Sequence, residues 1–264
     1  MRKIECVIMD WAGTAVDYGC FAPVAAFVEC FKAMGLNVSP AETRAHMGLT
    51  KLEEIRALFA IGHVSDEFAA KYGRAYNEDD VQQCYRGFQE ALSAKLDDYS
   101  TPIPGVVETM AALRADGLKV GSTTGYTQAM MDVVTAAARR QGYAVDCCVT
   151  ADGLPAGRPK PYMIYQNMCR LGVDSPRSVV KFGDTIADIR EGRNAGAWSV
   201  GVIMGSNEMA LTPDEAVAMD SAELKKRMDD VRYRMYAAGA DYVVDDATAL
   251  PALIESINMR MAGE

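Results

Sequence analysis

Apolar residues follow two rhythms along the chain. Short unbroken runs at 7–9, 118–121, 145–150, 178–182, 198–203 and 242–244 predict buried strands. Between them, apolar positions at helical spacing predict helices over 21–34, 51–60, 67–72, 79–96, 107–115, 128–140, 162–171, 186–195 and 249–261. Pro40 opens a further helix, and 212–238 reads as mostly helical and charged. From 19 to 98 nothing alternates like a strand, and the β/α rhythm resumes only after Pro102-Ile103-Pro104-Gly105. The expected fold is α/β: a Rossmann-like parallel sheet covered on both faces, with an all-helical unit inserted after the first strand. The expected division is a core of 1–18 and 99–264 and a helical cap of 19–98. No internal repeat or low-complexity tract interrupts this pattern.

Composition narrows the function. Of 264 residues, half are apolar, enough for a proper core, and the net charge is -9. With no basic tract, nucleic acid and anionic membranes are poor partners. No apolar stretch approaches the ~20 residues of a membrane span. The start, Met1-Arg2-Lys3-Ile4, runs directly into a strand and predicts no signal peptide. Seven cysteines without CxxC spacing read as reduced thiols. The expectation is a cytoplasmic protein acting on a small molecule.

Candidate chemistry gathers at strand ends. Asp10 ends the first strand, where reactive groups of parallel α/β sheets collect. Its carboxylate can attack phosphorus, ligate Mg2+ or simply cap the following turn. Thr124 ends a second strand and offers a hydroxyl donor; Asp184 ends a third, with Asp188 four residues on. Arg158, between Gly157 and Pro159, offers a fixed cation. Asp10 and Asp184 together suit one Mg2+, which prefers carboxylates, waters and a phosphoryl oxygen.

The order Asp10, Thr124, Arg158, Asp184, closed by GDTIAD, resembles the haloacid dehalogenase superfamily. More narrowly, MDWAGTAVDYGCFAP, MGLTK, GSTTGYT, PAGRPKP and GDTIADIREGRNAG resemble the phosphonoacetaldehyde hydrolase (phosphonatase) family over essentially the whole chain. The resemblance implies hydrolysis of the C–P bond of phosphonoacetaldehyde to acetaldehyde and phosphate. It implies Asp10 as nucleophile and Mg2+ ligand, Ala12 as a ligand through its carbonyl, Asp184 as a further ligand, and Asp188 helping from behind or through water. Thr124 and Arg158 would bind the phosphoryl group, and Lys51 would form a Schiff base with the aldehyde. Gly125 and Tyr126, with Cys20 and Met47, fall in the substrate-binding set, although apolar packing explains Cys20 and Met47 equally well. A homodimer joined through the caps is also implied.

Ala12 has an independent physical meaning. Superfamily phosphatases usually place there an Asp that protonates the leaving alkoxide, a contribution worth roughly 10²–10⁴-fold. Cleaving C–P instead needs a sink for the electron pair left on carbon, and a protonated imine on Lys51 supplies one. A surface position is the ordinary reading for such a lysine. The family's usual His three residues after the Schiff-base Lys is Glu54 here, on the same helical face as Lys51. Glu54 is the expected proton shuttle, with His46 and Tyr126 as other candidates. Two alternatives stay open: a related Mg2+-dependent hydrolase acting on another phosphonate or a phosphate ester, and a non-catalytic phosphonate-binding homologue.

Overall fold

The computed structural model describes residues 3–263. Residues 1, 2 and 264 of the expected core, including the start Met1-Arg2, lie outside the described residues. The first strand, β1 (Cys6–Met9), is four apolar residues, all buried. Around it the chain builds β2 (Lys119–Thr123), β3 (Cys147–Val149), β4 (Val179–Gly183), β5 (Trp198–Val202) and β6 (Tyr242–Val244). They form one sheet in the order β3-β2-β1-β4-β5-β6, every neighbouring pair parallel. The fold is α/β, and β1 lies at its topological switch point, between β2 and β4.

The alternation of side chains along β1 explains why both faces need helices. Cys6 and Ile8 pack with Ile164 and Met168 of α8 (Tyr162–Leu171). Val7 and Met9 face the opposite layer, with Met110 of α6 (Val106–Ala115) and Ile254 of α12 (Leu250–Gly263). The remaining helices outside the insert are α7 (Gln128–Arg140), α9 (Ile186–Ala195), α10 (Pro213–Ala218) and α11 (Ser221–Ala238). The stretch expected to be helical over 212–238 breaks at Met219-Asp220, because the Asp220 carboxylate accepts the N–H groups of Ala222 and Glu223 and starts a new helix. The strand expected over 145–150 shortens to β3, an edge strand with β2 as its sole neighbour in the sheet.

Between β1 and α6 lie α1 (Phe21–Ala33), α2 (Pro40–Ala45), α3 (Lys51–Phe59), α4 (Gly62–Tyr72) and α5 (Glu78–Ser93). Helix α4 begins before the expected 67, at Gly62. This insert has an aromatic core: Phe27 stacks on Phe88 with centroids 4.3 Å apart, and Phe59 meets Phe31 at 4.9 Å. Thr50 caps α3 in a capping box with Glu53, which makes Lys51 its first residue. The chain enters the insert through Asp17, Gly19 and Cys20, all with positive φ, and the Asp17 carboxylate accepts the N–H groups of Phe21 and Ala22.

The insert docks on the sheet through residues 47–50, and missing side chains make this possible. A Cβ on Gly48 would stand 2.5 Å from Thr185 Oγ1, one on Gly157 2.4 Å from Thr50 Cγ2, and one on Gly125 2.3 Å from the Leu49 carbonyl oxygen. No helix among the described residues is long and apolar enough to cross a membrane. Gly125→Ala, which pushes against backbone, should cost about 1–3 kcal/mol of docking. Hydrogen exchange at 47–50 should accelerate while exchange in β1 and β4 stays unchanged.

Candidate active site

The parallel register carries three carboxylates to one place. Asp10 follows β1, Asp184 follows β4, and Asp188 sits in the first turn of α9. All three are buried, and each offers an oxygen within 4.8 Å of the others. Asp184 is fixed at both ends: Oδ1 accepts the Thr14 hydroxyl at 2.8 Å and Oδ2 the Asn207 backbone N–H at 2.8 Å. Asp188 Oδ2 takes the Thr185 hydroxyl at 2.6 Å, and its Oδ1 stands 2.7 Å from Lys181 Nζ.

Arg158, 2% exposed, ties this edge together. Its Nη2 donates to Asp10 Oδ1 at 2.7 Å and to Thr123 Oγ1 at 2.8 Å, and lies 3.1 Å from Asp188 Oδ1. Its Nε donates to Glu191 Oε2 at 3.0 Å, and the same oxygen accepts the Thr123 hydroxyl at 3.0 Å. Burial raises the pKa values of Asp184 and Glu191; the Asp10 and Asp188 charges push Asp184 further. Burial also opposes ionisation of Asp188, but Arg158 and Lys181 outweigh it and hold that carboxyl below its ordinary range.

Charge counting favours a divalent cation here. Counted in their ionised form, four buried carboxylates (Asp10, Asp184, Asp188 and Glu191) face two buried cations, Arg158 and Lys181. The surplus of two negative charges is what one divalent ion neutralises, and an all-oxygen donor set suits a hard cation. Asp10 Oδ2 accepts no hydrogen bond among the described residues.

The insert contributes a second charged pair. Lys51 is 4% exposed, and its Nζ lies 2.9 Å from both oxygens of Glu54 and 3.4 Å from Met47 Sδ. Rings of Phe27 and Tyr126 flank the ammonium, centroids at 5.5 Å. Glu54, wholly buried, also accepts the Gly48 N–H at 3.0 Å. Burial pushes its carboxyl up to about 7 even against the pull of Lys51. Between insert and sheet lies a cavity of about 20 Å³. Asp10, Ala12, Thr124, Gly125, Tyr126 and Arg158 line it from the sheet side. Cys20, Met47 and Lys51 line it from the insert, joined there by Pro23 and Gly48, and Thr185 joins the sheet side. The Thr124 hydroxyl accepts the Tyr126 N–H at 3.1 Å.

Residues 4–196 match the family model of the haloacid dehalogenase-like hydrolases. The chain belongs to that family, and it is an enzyme. Over 261 residues it is 55% identical to a phosphonoacetaldehyde hydrolase of Bacteroides fragilis, covering 99% of both chains. It is 49% identical to a phosphonoacetaldehyde hydrolase of Bacillus cytotoxicus, covering 97% of each. The crystal structure of a phosphonoacetaldehyde hydrolase like protein from Oleispira antarctica superposes with a TM-score of 0.96 at 37% identity, covering 98% of this chain and 94% of that one.

Nine of the twelve candidate residues line the cavity of this haloacid dehalogenase-like hydrolase. Glu54, Asp184 and Asp188 do not; they stand behind it, against Lys51, Thr14 and Arg158 respectively. His46 lies past the end of α2, outside that lining. Thr123, Lys181 and Glu191 were not among the candidates. Each left a trace: Lys181 interrupts an apolar strand, Thr123 adjoins Thr124, and Glu191 follows Asp188 by three residues on one helical face. Glu191→Ala removes a partner from a fully buried cation, which should cost about 3–5 kcal/mol. Thermal or denaturant unfolding of the purified variant measures that loss directly.

Proposed function

We propose that this protein is a Mg2+-dependent phosphonoacetaldehyde hydrolase, using a Lys51 Schiff base and an Asp10 aspartyl phosphate. The observation that carries the reading is one cavity lined by both Lys51 and Asp10, the first from the insert and the second from the sheet. Ala12 supports it, since it leaves no acid to protonate an alkoxide and so disfavours ordinary phosphate esters. The near-full-length relatives named for this activity support the substrate.

The reaction begins with proton transfer within the Lys51–Glu54 pair. At 2.9 Å, Glu54 can take the ammonium proton without involving bulk water, and its raised pKa suits it to return that proton. The free amine adds to the aldehyde, and the hydroxyl leaves as water with the proton returned by Glu54, which gives the protonated imine. Asp10 Oδ2, the oxygen not held by Arg158, attacks phosphorus. The C–P electron pair moves through carbon to the imine nitrogen, giving a neutral enamine and an aspartyl phosphate. Water hydrolyses the aspartyl phosphate. Protonation of the enamine and hydrolysis of the imine release acetaldehyde and restore Lys51.

Arg158 Nη1, unengaged among the described residues, and the Thr124 hydroxyl are placed to hold phosphoryl oxygens. Asp10, Asp184 and the Ala12 carbonyl would hold Mg2+, with Asp188 steadied behind them by Lys181 and Arg158. Bound Mg2+ supplies neutralisation of charge on the phosphoryl oxygens. The cavity holds about one water molecule, so residues 19–98 act as a cap that opens for substrate and closes over it. Free cysteines suit a cytoplasmic location. The apolar groove beside α1, with Val24, Ala25 and Val28 in its wall, suits a homodimer joined through the caps.

Acetaldehyde release from phosphonoacetaldehyde should require Mg2+ and stop with EDTA. Borohydride added during turnover should leave a reduced adduct on the Lys51 peptide. Activity that survives Lys51→Arg would instead favour a related hydrolase acting on another phosphonate or ester. For Glu54, deprotonation through about 7 creates the base that Lys51 needs, so imine formation should rise with pH across that value. Glu54→Gln should flatten that limb and slow turnover about 10²-fold; an unchanged profile would remove Glu54 from the mechanism.

A further inference from the structure

The loop after β5, residues 203–210, touches three parts of the molecule at once. Its Gly205 carbonyl accepts the N–H of Gly19, in the linker entering the insert, at 2.7 Å. Its Asn207 N–H holds Asp184 Oδ2 at 2.8 Å. The Asn207 side chain, on a residue only 2% exposed, meets Arg44 of α2 in both directions. Oδ1 accepts Arg44 Nη1 at 3.1 Å, and Nδ2 donates to the Arg44 carbonyl at 3.2 Å. Flipping the amide would oppose donor to donor and acceptor to acceptor, so the pairing fixes its orientation. The same Nη1 donates to the Gly19 carbonyl at 2.6 Å, and the guanidinium lies over the Phe21 ring, 4.7 Å from its centroid.

One residue therefore has its backbone on a metal-site carboxylate and its side chain on the insert. Asp184 has little freedom in this arrangement, because Thr14 holds the other oxygen and a Cβ on Gly13 would stand 2.2 Å from Oδ2. When the insert swings away, Arg44 leaves with it. Asn207 then loses both side-chain hydrogen bonds to Arg44 at a buried position, together with the longer one its carbonyl accepts from Arg44 Nη1 at 3.5 Å, and nothing from the insert holds its N–H against Asp184.

We infer that Asn207 is a positioning residue that couples closure of the insert to divalent-cation binding at Asp184, with Arg44 as the latch. The inference rests on the metal reading of Asp10 and Asp184 given above. By linkage, closure raises cation affinity by the same factor by which the cation favours closure. The relay is short: Arg44 to Asn207 side chain, Asn207 backbone to Asp184.

The test is calorimetric titration of Mg2+ into substrate-free wild type, Arg44→Ala, Arg44→Lys, Asn207→Ala and the double Ala variant, with hydrogen exchange at 44–50 followed with and without Mg2+. Arg44→Ala and Asn207→Ala should each weaken Mg2+ binding about five-fold or more, the double variant no further than either alone. Mg2+ should slow exchange at 44–50 in the wild type and not in the Ala variants. Coulomb's law alone predicts the opposite sign, because Arg44→Ala removes a positive charge near the cation. Arg44→Lys, which keeps the charge without the fork, should also weaken binding and covers the case in which Arg44→Ala does not fold. Unchanged or tighter Mg2+ binding in a folded Arg44 variant would overturn the coupling. A wild type that binds no Mg2+ would overturn the metal reading itself, and the inference with it.

Discussion

The guanidinium of Arg158 is the interaction on which the rest depends. Asp10 follows β1, while Asp188 and Glu191 share one face of α9, and the mutual repulsion of the three in a buried setting would drive them apart or protonate them. Arg158 meets all three, at 2.7, 3.1 and 3.0 Å, and Lys181 reinforces the last two. Two cations for four carboxylates is a deliberate shortfall: it holds the cluster together yet leaves it wanting one divalent ion. Without the guanidinium, Asp10 would lose the partner that leaves Oδ2 as its free face.

Most of the fold was legible because periodicity reports burial. The apolar runs at 7–9 and 178–182 are strands between two helical layers, and where no alternation was read the chain forms α1 to α5. Errors fell where a local bond outranks periodicity. Asp220 restarted a helix inside a charged stretch, and β3 shortened where it had one neighbour. The cavity residues were legible for a different reason, since nine of them follow from motif resemblance, six on the sheet side and three (Cys20, Met47 and Lys51) on the insert.

What stayed hidden in the sequence is the support behind the cavity. Lys181 and Glu191 matter through packing against residues far along the chain, and no spacing rule connects either to Arg158. Asn207 sits in a loop with no periodic signal, and its partner Arg44 lies 163 positions away in sequence. Lys51 reads as a solvated helix residue until the docking of 47–50 removes it from water. That docking depends on Gly48, Gly125 and Gly157, where the informative feature is an atom that is absent.

The central place of β1 has a consequence for the order in which the molecule is made. It is synthesised before every other strand, yet its sheet partners are remote: Cys6 pairs with Lys119 on one side and Val179 on the other. On the ribosome the strand must wait, edge groups unpaired, until most of the chain has emerged. The insert waits less, because α1 to α5 find their mutual partners within residues 21–93. Local contacts form quickly and long loops close slowly. The partners within the helical insert are thus all synthesised before those of β1, and the carboxylate cluster becomes competent only near the end of synthesis, when Asp10 meets residues it preceded by well over a hundred positions.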